Sequence, residues 1–146
     1  MTELNTLAGI DFGAKLSGTT AIASLQNASF NIQQSKKGVD ADAWLLEAIR
    51  KLKSTTVFID APLSLPAAYF DSRSSEFFYR EADKKLTAMS PMFLGGLTAR
   101  AMKLKRILNT QNILVFETYP AALVRELLPG SVFYKKDMKE FRKELQ

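Results

Sequence analysis

Three short apolar segments of this chain each end in an acidic residue, and this repeated pattern constrains the fold more than any other feature. The pairs are Leu7–Ile10 with Asp11, Val57–Ile59 with Asp60, and Ile113–Phe116 with Glu117. Acidic residues are depleted from strands and are rarely buried without a partner, so an acid at the end of a buried strand requires an explanation. If the three strands run in the same direction, their carboxyl ends lie at one edge of a sheet and the acids meet there.

The hydrophobic pattern predicts the element order β-β-β-α-β-α-α-β-α-α. The predicted strands are 6–12, 18–25 and 28–33, which form an antiparallel meander, and 55–60 and 113–116, which pair in parallel through helices. Five helices are predicted. The first begins at the N-cap Asp40, the second covers Glu76–Leu86, and the third follows the loop Met89–Gly96. The fourth extends from Pro120 to Pro129, and the fifth covers Lys135–Gln146. The first strand is almost wholly apolar and is therefore expected at the centre of the sheet. The expected fold class is α/β, with a five-stranded mixed sheet and helices on both faces.

Composition excludes several kinds of chemistry. The chain of 146 residues contains no Cys and no His. Disulfides, thiolate catalysis, Ser-His-Asp catalysis and zinc or haem held by Cys or His are thereby excluded. A metal site must be built from oxygen ligands, which favour Mg²⁺, Mn²⁺ or Ca²⁺. No apolar run approaches the roughly 20 residues that span a bilayer, so no membrane partner is expected.

Positive charge is concentrated in one segment. The formal net charge is +5, and the segment between Asp83 and Glu117 contains no acid and six basic residues. These are Lys84, Lys85, Arg100, Lys103, Lys105 and Arg106. An anionic partner such as nucleic acid or a phosphorylated ligand is one interpretation. A solvated helix face is the other, and charge alone favours it.

Three clustered carboxylates predict a metal site. They repel one another, which raises their pKa values unless a divalent cation binds between them. Mg²⁺ or Mn²⁺ held by Asp11, Asp60 and Glu117 would activate water for displacement at phosphorus. The three acids are therefore predicted both as metal ligands and as catalytic residues. Each acid taken alone also fits a simple role in capping a helix or closing a turn.

Basic residues provide candidate phosphate contacts. Lys15 and the small residues Ser17–Thr20 lie in the predicted first hairpin, where backbone N–H groups can approach a phosphate. This hairpin is not a Walker P-loop, which needs Gly-Lys-Ser/Thr at the start of a helix. The predicted phosphate contacts are Lys15, Arg100, Lys103 and Arg106.

Four short motifs resemble known families. Residues 9–18, Gly-Ile-Asp-Phe-Gly-Ala-Lys-x-x-Gly, resemble the first strand of the ribonuclease H-like superfamily, and in particular that of Holliday-junction resolvase-like proteins. Together with Phe58–Pro66, Arg80-x-x-Asp83 and Glu117–Pro120, in that order, they resemble the DUF429 family of predicted RNase H-like nucleases. The resemblance covers most of the chain.

The resemblance implies an RNase H-like fold and metal-dependent hydrolysis of phosphodiester bonds. It places the acids of the family on Asp11, Asp60 and Glu117. It places the Arg/Asp pair of the family on Arg80 and Asp83, and implies that this pair contacts substrate or supports a ligand.

The chain departs from the nuclease pattern after the fifth predicted strand. Such nucleases generally place a further Asp on a C-terminal helix, often in an Asp-Ala-x-x-Ala setting. Here Asp137 is the only Asp beyond Glu117, and it lies among lysines. The single domain expected over residues 1–146 is therefore also expected to lack the usual C-terminal helix. Three arrangements stay open: Glu117 completes the site, another subunit of a homodimer supplies the helix, or catalysis is degraded.

The leading functional hypothesis is a nuclease that depends on Mg²⁺ or Mn²⁺ and acts on nucleic acid. The first alternative is a nucleic-acid or nucleotide-binding module that has lost catalysis. The second is a phosphotransferase of the actin-like ATPase class, which ranks last because one short domain lacks the second half that clamps ATP. A cytoplasmic location is expected, since the N-terminus carries Glu3 and no basic, apolar signal pattern.

Overall fold

Five strands form one mixed sheet in the computed structural model, which describes residues 6–146. The strands are β1 (Thr6–Asp11), β2 (Ala21–Gln26), β3 (Ser29–Gln34), β4 (Ser54–Asp60) and β5 (Leu114–Glu117). The helices are α1 (Ala41–Leu52), α2 (Glu81–Leu86), α3 (Pro91–Leu94), α4 (Gly96–Thr110), α5 (Pro120–Leu127) and α6 (Met138–Glu144), and a 3-10 helix covers Ala67–Tyr69. Within the described range, every helix is too short or too polar to cross a membrane.

The strand order is β3-β2-β1-β4-β5, with β1 at the centre. β1 and β3 each pair with β2 in the antiparallel direction, whereas β4 pairs in parallel with both β1 and β5. This order confirms the predicted α/β class, the five-stranded mixed sheet and the meander followed by parallel strands. The carboxyl ends of β1, β4 and β5 therefore lie at one edge of the sheet. We call this the acidic edge, because Asp11, Asp60 and Glu117 end the three strands.

One face of the sheet is buried against α1 and α4. The strand residues that point toward this face include Ile10, Ile22, Val57, Ile59 and Val115. The helices contribute Leu45, Ala48 and Ile49 from α1 and Ala101, Leu104 and Leu108 from α4. All of these side chains belong to one buried cluster, which holds the parallel strands against the helices that connect them.

The helix predicted over Glu76–Leu86 is shorter than expected. The carboxylate of Glu76 accepts hydrogen bonds from the backbone N–H groups of Phe78 and Tyr79, both at 3.0 Å. These local bonds replace helical ones and hold residues 76–80 outside the helix. α2 begins at Glu81, where the Asp83 carboxylate accepts from the backbone N–H of Arg80 at 2.8 Å. The predicted loop that follows also contains the one-turn helix α3.

The opposite face of the sheet is largely exposed, whereas helices were predicted on both faces. Its large apolar side chains are Leu7, Leu25, Phe30, Ile32, Phe58, Leu114 and Phe116. We call this set the open face. Tyr134 and Lys135 line a cavity with Phe58, Asp11 and Asp60 at the end of the open face nearest the acidic edge. The C-terminal segment therefore covers only that end.

Candidate metal-binding and catalytic site

Asp11 and Asp60 lie directly opposite each other on adjacent parallel strands. Their Cα atoms are register partners in the pairing of β1 with β4. Because side chains alternate along a strand, residues in the same register project from the same face, and both carboxylates lie on the side of the open face. No hydrogen bond or ion pair joins either carboxylate to another residue within 6–146. Two unpaired acids at neighbouring strand ends form the centre of the candidate site.

The surroundings of Asp60 destabilise the negative charge of its carboxylate. Partial burial raises the pKa of the Asp60 carboxyl above its usual range, and the nearby charge of Asp11 raises it further. Glu117 adds a smaller effect in the same direction, while Lys135 opposes them. A divalent cation between Asp11 and Asp60 would remove the repulsion, so the donor set fits a metal that prefers oxygen ligands.

Asp60→Asn is expected to stabilise the protein at neutral pH. Since the pKa of Asp60 is raised on folding, ionising the carboxyl costs more free energy in the folded protein than in the unfolded chain. Asn removes this cost. The half-exposed side chain is screened by solvent, which limits the gain to less than about 1 kcal/mol. The expected rise in Tm is then about 1–3 °C for a chain of this length.

The same gain should disappear in acid. The cost of ionising Asp60 begins as the pH rises through the unfolded-state pKa of about 3.9, and it is complete only above the higher folded-state value. Thermal unfolding of both proteins, followed by circular dichroism from acid to neutral pH, measures the difference. Glu126→Gln on the exposed surface of α5 is the control and should not raise Tm. A lower Tm for Asp60→Asn than for the wild type at neutral pH would contradict the raised pKa of Asp60.

Glu117 lies at the same edge but projects differently. β5 pairs with β4 so that Glu117 is the register partner of Ile59 and not of Asp60. This offset of one residue turns the Glu117 side chain toward the opposite face from Asp60. Asp11, Asp60 and Glu117 still line one cavity of about 240 Å³. Within the described residues, however, no group of three or more acids lies close enough to hold one metal ion.

Arg80 holds Glu117 in place. Its guanidinium donates from Nη1 to Oε2 and from Nη2 to Oε1 of Glu117, both at 2.7 Å. The backbone N–H of Leu63 donates to Oε2 of Glu117 at 2.9 Å. Each carboxylate oxygen therefore accepts at least one bond from the protein, and a metal ligand role for Glu117 would require these bonds to be broken.

The same guanidinium binds Asp83. Nε and Nη2 of Arg80 donate to the two carboxylate oxygens of Asp83 at 2.9 and 2.6 Å, and Nη1 also donates to Ser64 Oγ at 3.1 Å. The bonds to Asp83 make the largest contribution to raising the pKa of Arg80, and the bonds to Glu117 raise it further. The five N–H donors of the guanidinium are thereby used within the protein. Arg80 and Asp83, which the family resemblance implies contact substrate or support a ligand, connect α2 to the end of β5 and to the loop after β4.

The predicted phosphate contacts lie in two places. Lys15, Arg100 and Lys103 line a cavity of about 200 Å³ between the first hairpin, α1 and α4. Arg100 is held there by Asp42, with Nη2 to Oδ1 at 2.6 Å, and Lys15 is 3.1 Å from the carboxylate of Asp40. The structure does not place the fourth predicted residue with them. Arg106 lies in a separate depression on α4, lined also by Met102 and Asn109.

Phe12 separates the basic cavity from the acidic one. Its ring lines the cavity of Asp11 and Asp60, and the Arg100 guanidinium carbon lies 4.6 Å from the ring centroid. Arg100 also donates to the Gly13 carbonyl oxygen at 3.0 Å. These contacts fix the turn after Asp11, so Arg100 supports the position of the acid rather than presenting a free charge to a ligand.

Sequence reasoning gave no site role to Tyr134 and Lys135. They line a second cavity at the acidic edge, of about 390 Å³, with Asp11, Asp60 and Phe58. Lys135 has a positive φ of 62°, which turns the chain at this point. The only signal in the sequence is the basic pair at 135 and 136, and nothing in it indicates which strand ends the pair approaches.

A larger cleft adjoins the acidic cavity. It has a volume of about 700 Å³ and shares Arg80, Glu117 and Tyr119 with the wall of the acidic cavity. Its other side is lined by Tyr79 and by Lys84, which is paired with Glu76 at 2.6 Å. The ion pairs of Arg80 therefore form the partition between the two spaces.

The fold and the site together define an α/β protein with a pair of acids at the carboxyl ends of two parallel strands. No protein-family model matches the chain, and its sequence has no match among curated proteins.

Proposed function

We propose that the protein is a metal-dependent nuclease that hydrolyses phosphodiester bonds and binds Mg²⁺ or Mn²⁺ between Asp11 and Asp60. The observation that carries the proposal is the facing, unpaired position of these two acids on adjacent strands. The raised pKa of Asp60 supports it, because a bound cation would remove the cause of the shift. The order of the four motifs that resemble RNase H-like nucleases also supports it.

A pair of carboxylates is a suitable donor set for Mg²⁺. This ion usually takes one or two carboxylates from the protein and fills its remaining positions with water and substrate phosphate. When bound, it lowers the pKa of water and stabilises negative charge that develops at phosphorus. Such a site needs no third carboxylate. Within 6–146 no third acid lies close to the pair, and Glu117, the other acid at this edge, forms an ion pair with Arg80.

Residues around the pair have separate roles in the proposal. Lys135 lies close enough to affect the pKa of Asp60 and is exposed, so it is positioned to bind a substrate phosphate. Tyr134 and Phe58 line the same cavity and offer aromatic rings to a sugar or base. Nucleic acid is the proposed substrate, and a cytoplasmic location remains a prediction.

A second candidate is a module that binds nucleic acid without cleaving it. The pairing of Glu117 with Arg80 favours this alternative, since two carboxylates are fewer than a nuclease with the full family pattern would present. Both candidates use the same acidic edge and differ only in whether bound substrate is hydrolysed.

A cleavage assay separates the two candidates. The purified protein is incubated with labelled single-stranded, duplex and branched nucleic acid in Mn²⁺ or Mg²⁺, with a chelator as the control. Cleavage that requires the metal supports the nuclease. Salt-dependent binding without cleavage supports the binding module. If neither binding nor cleavage occurs with any of these substrates, both candidates are wrong.

A further inference from the structure

The open face consists of two rows of side chains that cross all five strands. The strand register aligns Phe30, Leu25, Leu7, Thr56 and Leu114 in the first row. It aligns Ile32, Ala23, Gly9, Phe58 and Phe116 in the second. Neither row contains a charged residue. The third row begins with Gln34 and Ala21 and ends in Asp11 and Asp60, so the apolar surface stops at the acidic edge.

The exposed apolar area is larger than an ordinary surface patch. Phe30 is 76% exposed, Ile32 72% and Leu114 59%. If a fully exposed large side chain presents about 200 Å², the exposed fractions of the seven open-face side chains amount to roughly 700–800 Å². The largest apolar patch on a typical monomer is about 300–600 Å². A standard protein interface needs about 800 Å² from each partner.

We propose that the open face binds the open face of a second copy of this chain about a twofold axis. A twofold interface uses the same patch on both subunits, so each copy supplies the area that the other requires. The uncharged rows can be stacked without repulsion between like charges. Nucleic acid, in contrast, would need cations on this surface, and the two rows supply none.

The shape of the open face suits packing against a second sheet. A Cβ atom added to Gly9 would meet no other atom within 4 Å, so Gly9 and Ala23 form a shallow trough between Ile32 and Phe58. Large side chains of a facing sheet can enter this trough, as in aligned sheets that pack about 10 Å apart. Gly9, Ala23 and Phe58 also line the cavity of Tyr134 and Lys135. A second copy would therefore cover the first row, Ile32 and Phe116, and the trough would lie where the second copy meets that cavity.

Sedimentation of the full chain over a range of concentrations tests the proposal. The wild type should form a dimer with a micromolar or tighter Kd, the range that interfaces of this size reach. Ile32→Glu should raise Kd at least about 100-fold, because it would bury an unpaired charge. Two controls should leave Kd unchanged: Gln33→Glu puts the same charge on the same strand but on the other face, and Phe70→Glu changes a similarly exposed residue, 71% exposed, outside the sheet.

A second measurement does not depend on a disruptive variant. Since the chain contains no Cys, Ile32→Cys and Phe70→Cys each create a single thiol. Alkylation of Ile32→Cys should slow as the protein concentration rises, whereas alkylation of Phe70→Cys should not. The proposal is overturned by a wild type that stays monomeric, by equal effects of the open-face and control variants, or by a monomer that binds single-stranded nucleic acid through Ile32.

Discussion

Asp11→Asn is expected to reduce metal-dependent cleavage at least about 100-fold. The amide replaces one of the two proposed carboxylate ligands. A catalytic metal stabilises the transition state by several kcal/mol, and a loss of about 3 kcal/mol lowers the rate about 100-fold. Asp60→Asn should have an effect of similar size for the same reason. Initial rates in Mn²⁺, with Mn²⁺ binding measured in parallel by calorimetry, would show whether activity and metal affinity are lost together.

Glu117→Gln distinguishes a two-acid site from a three-acid site. In the structure, Glu117 is bound by Arg80 and by the Leu63 backbone, so its amide variant should retain Mn²⁺ binding. Glu126→Gln controls for the loss of one negative charge. Full activity of Asp11→Asn would refute the proposed site. Loss of Mn²⁺ binding in a folded Glu117→Gln protein would instead show that Arg80 releases Glu117 to the metal.

Arg80→Met is expected to destabilise the protein by about 3–5 kcal/mol, the usual cost of breaking a buried ion pair by removing one partner. The Arg80 side chain is only 12% exposed, and it is the shared partner of Asp83, 1% exposed, and Glu117, 32% exposed. Its removal leaves the Asp83 carboxylate buried without its cation. Urea unfolding measures the change in the free energy of unfolding.

Arg73→Met is the matched control for this variant. Arg73 also pairs with an acid, Asp71, but its side chain is 88% exposed. Water screens ion pairs that are this exposed, so the pair contributes little to stability and the control should unfold close to the wild type. Adding Glu117→Gln to Arg80→Met should recover part of the loss. An Arg80→Met protein of normal stability that no longer binds substrate would show that Arg80 acts on the ligand instead.

Most of the fold was predictable because its signals are local. Alternation and apolar runs predicted both ends of all five strands to within three residues of their positions in the structure. The placement of β1 at the centre followed from its nearly continuous apolar sequence. The N-cap at Asp40 and the proline at the start of α5 were also predictable, since each acts on its own turn of the chain.

The region from Glu76 to Gly96 was harder for a physical reason. Its apolar residues follow helical spacing at 76–86, but the Glu76 carboxylate takes the backbone N–H groups of Phe78 and Tyr79 out of the helix. Competition between a side chain and the helical backbone depends on geometry that periodicity does not describe. Of the helix predicted over 76–86, only the part from Glu81 onward, α2, is helical.

The sequence by itself determined that three acids end three parallel strands, because that follows from the order of apolar runs and helices. Only the tertiary structure decided which of them face each other. The register places Asp11 beside Asp60 but shifts Glu117 by one residue, and a shift of one residue reverses the face from which a side chain projects. Arg80, 37 residues earlier in the chain, then neutralises Glu117. Register and long-range ion pairs depend on how distant segments pack, so neither can be read from local pattern.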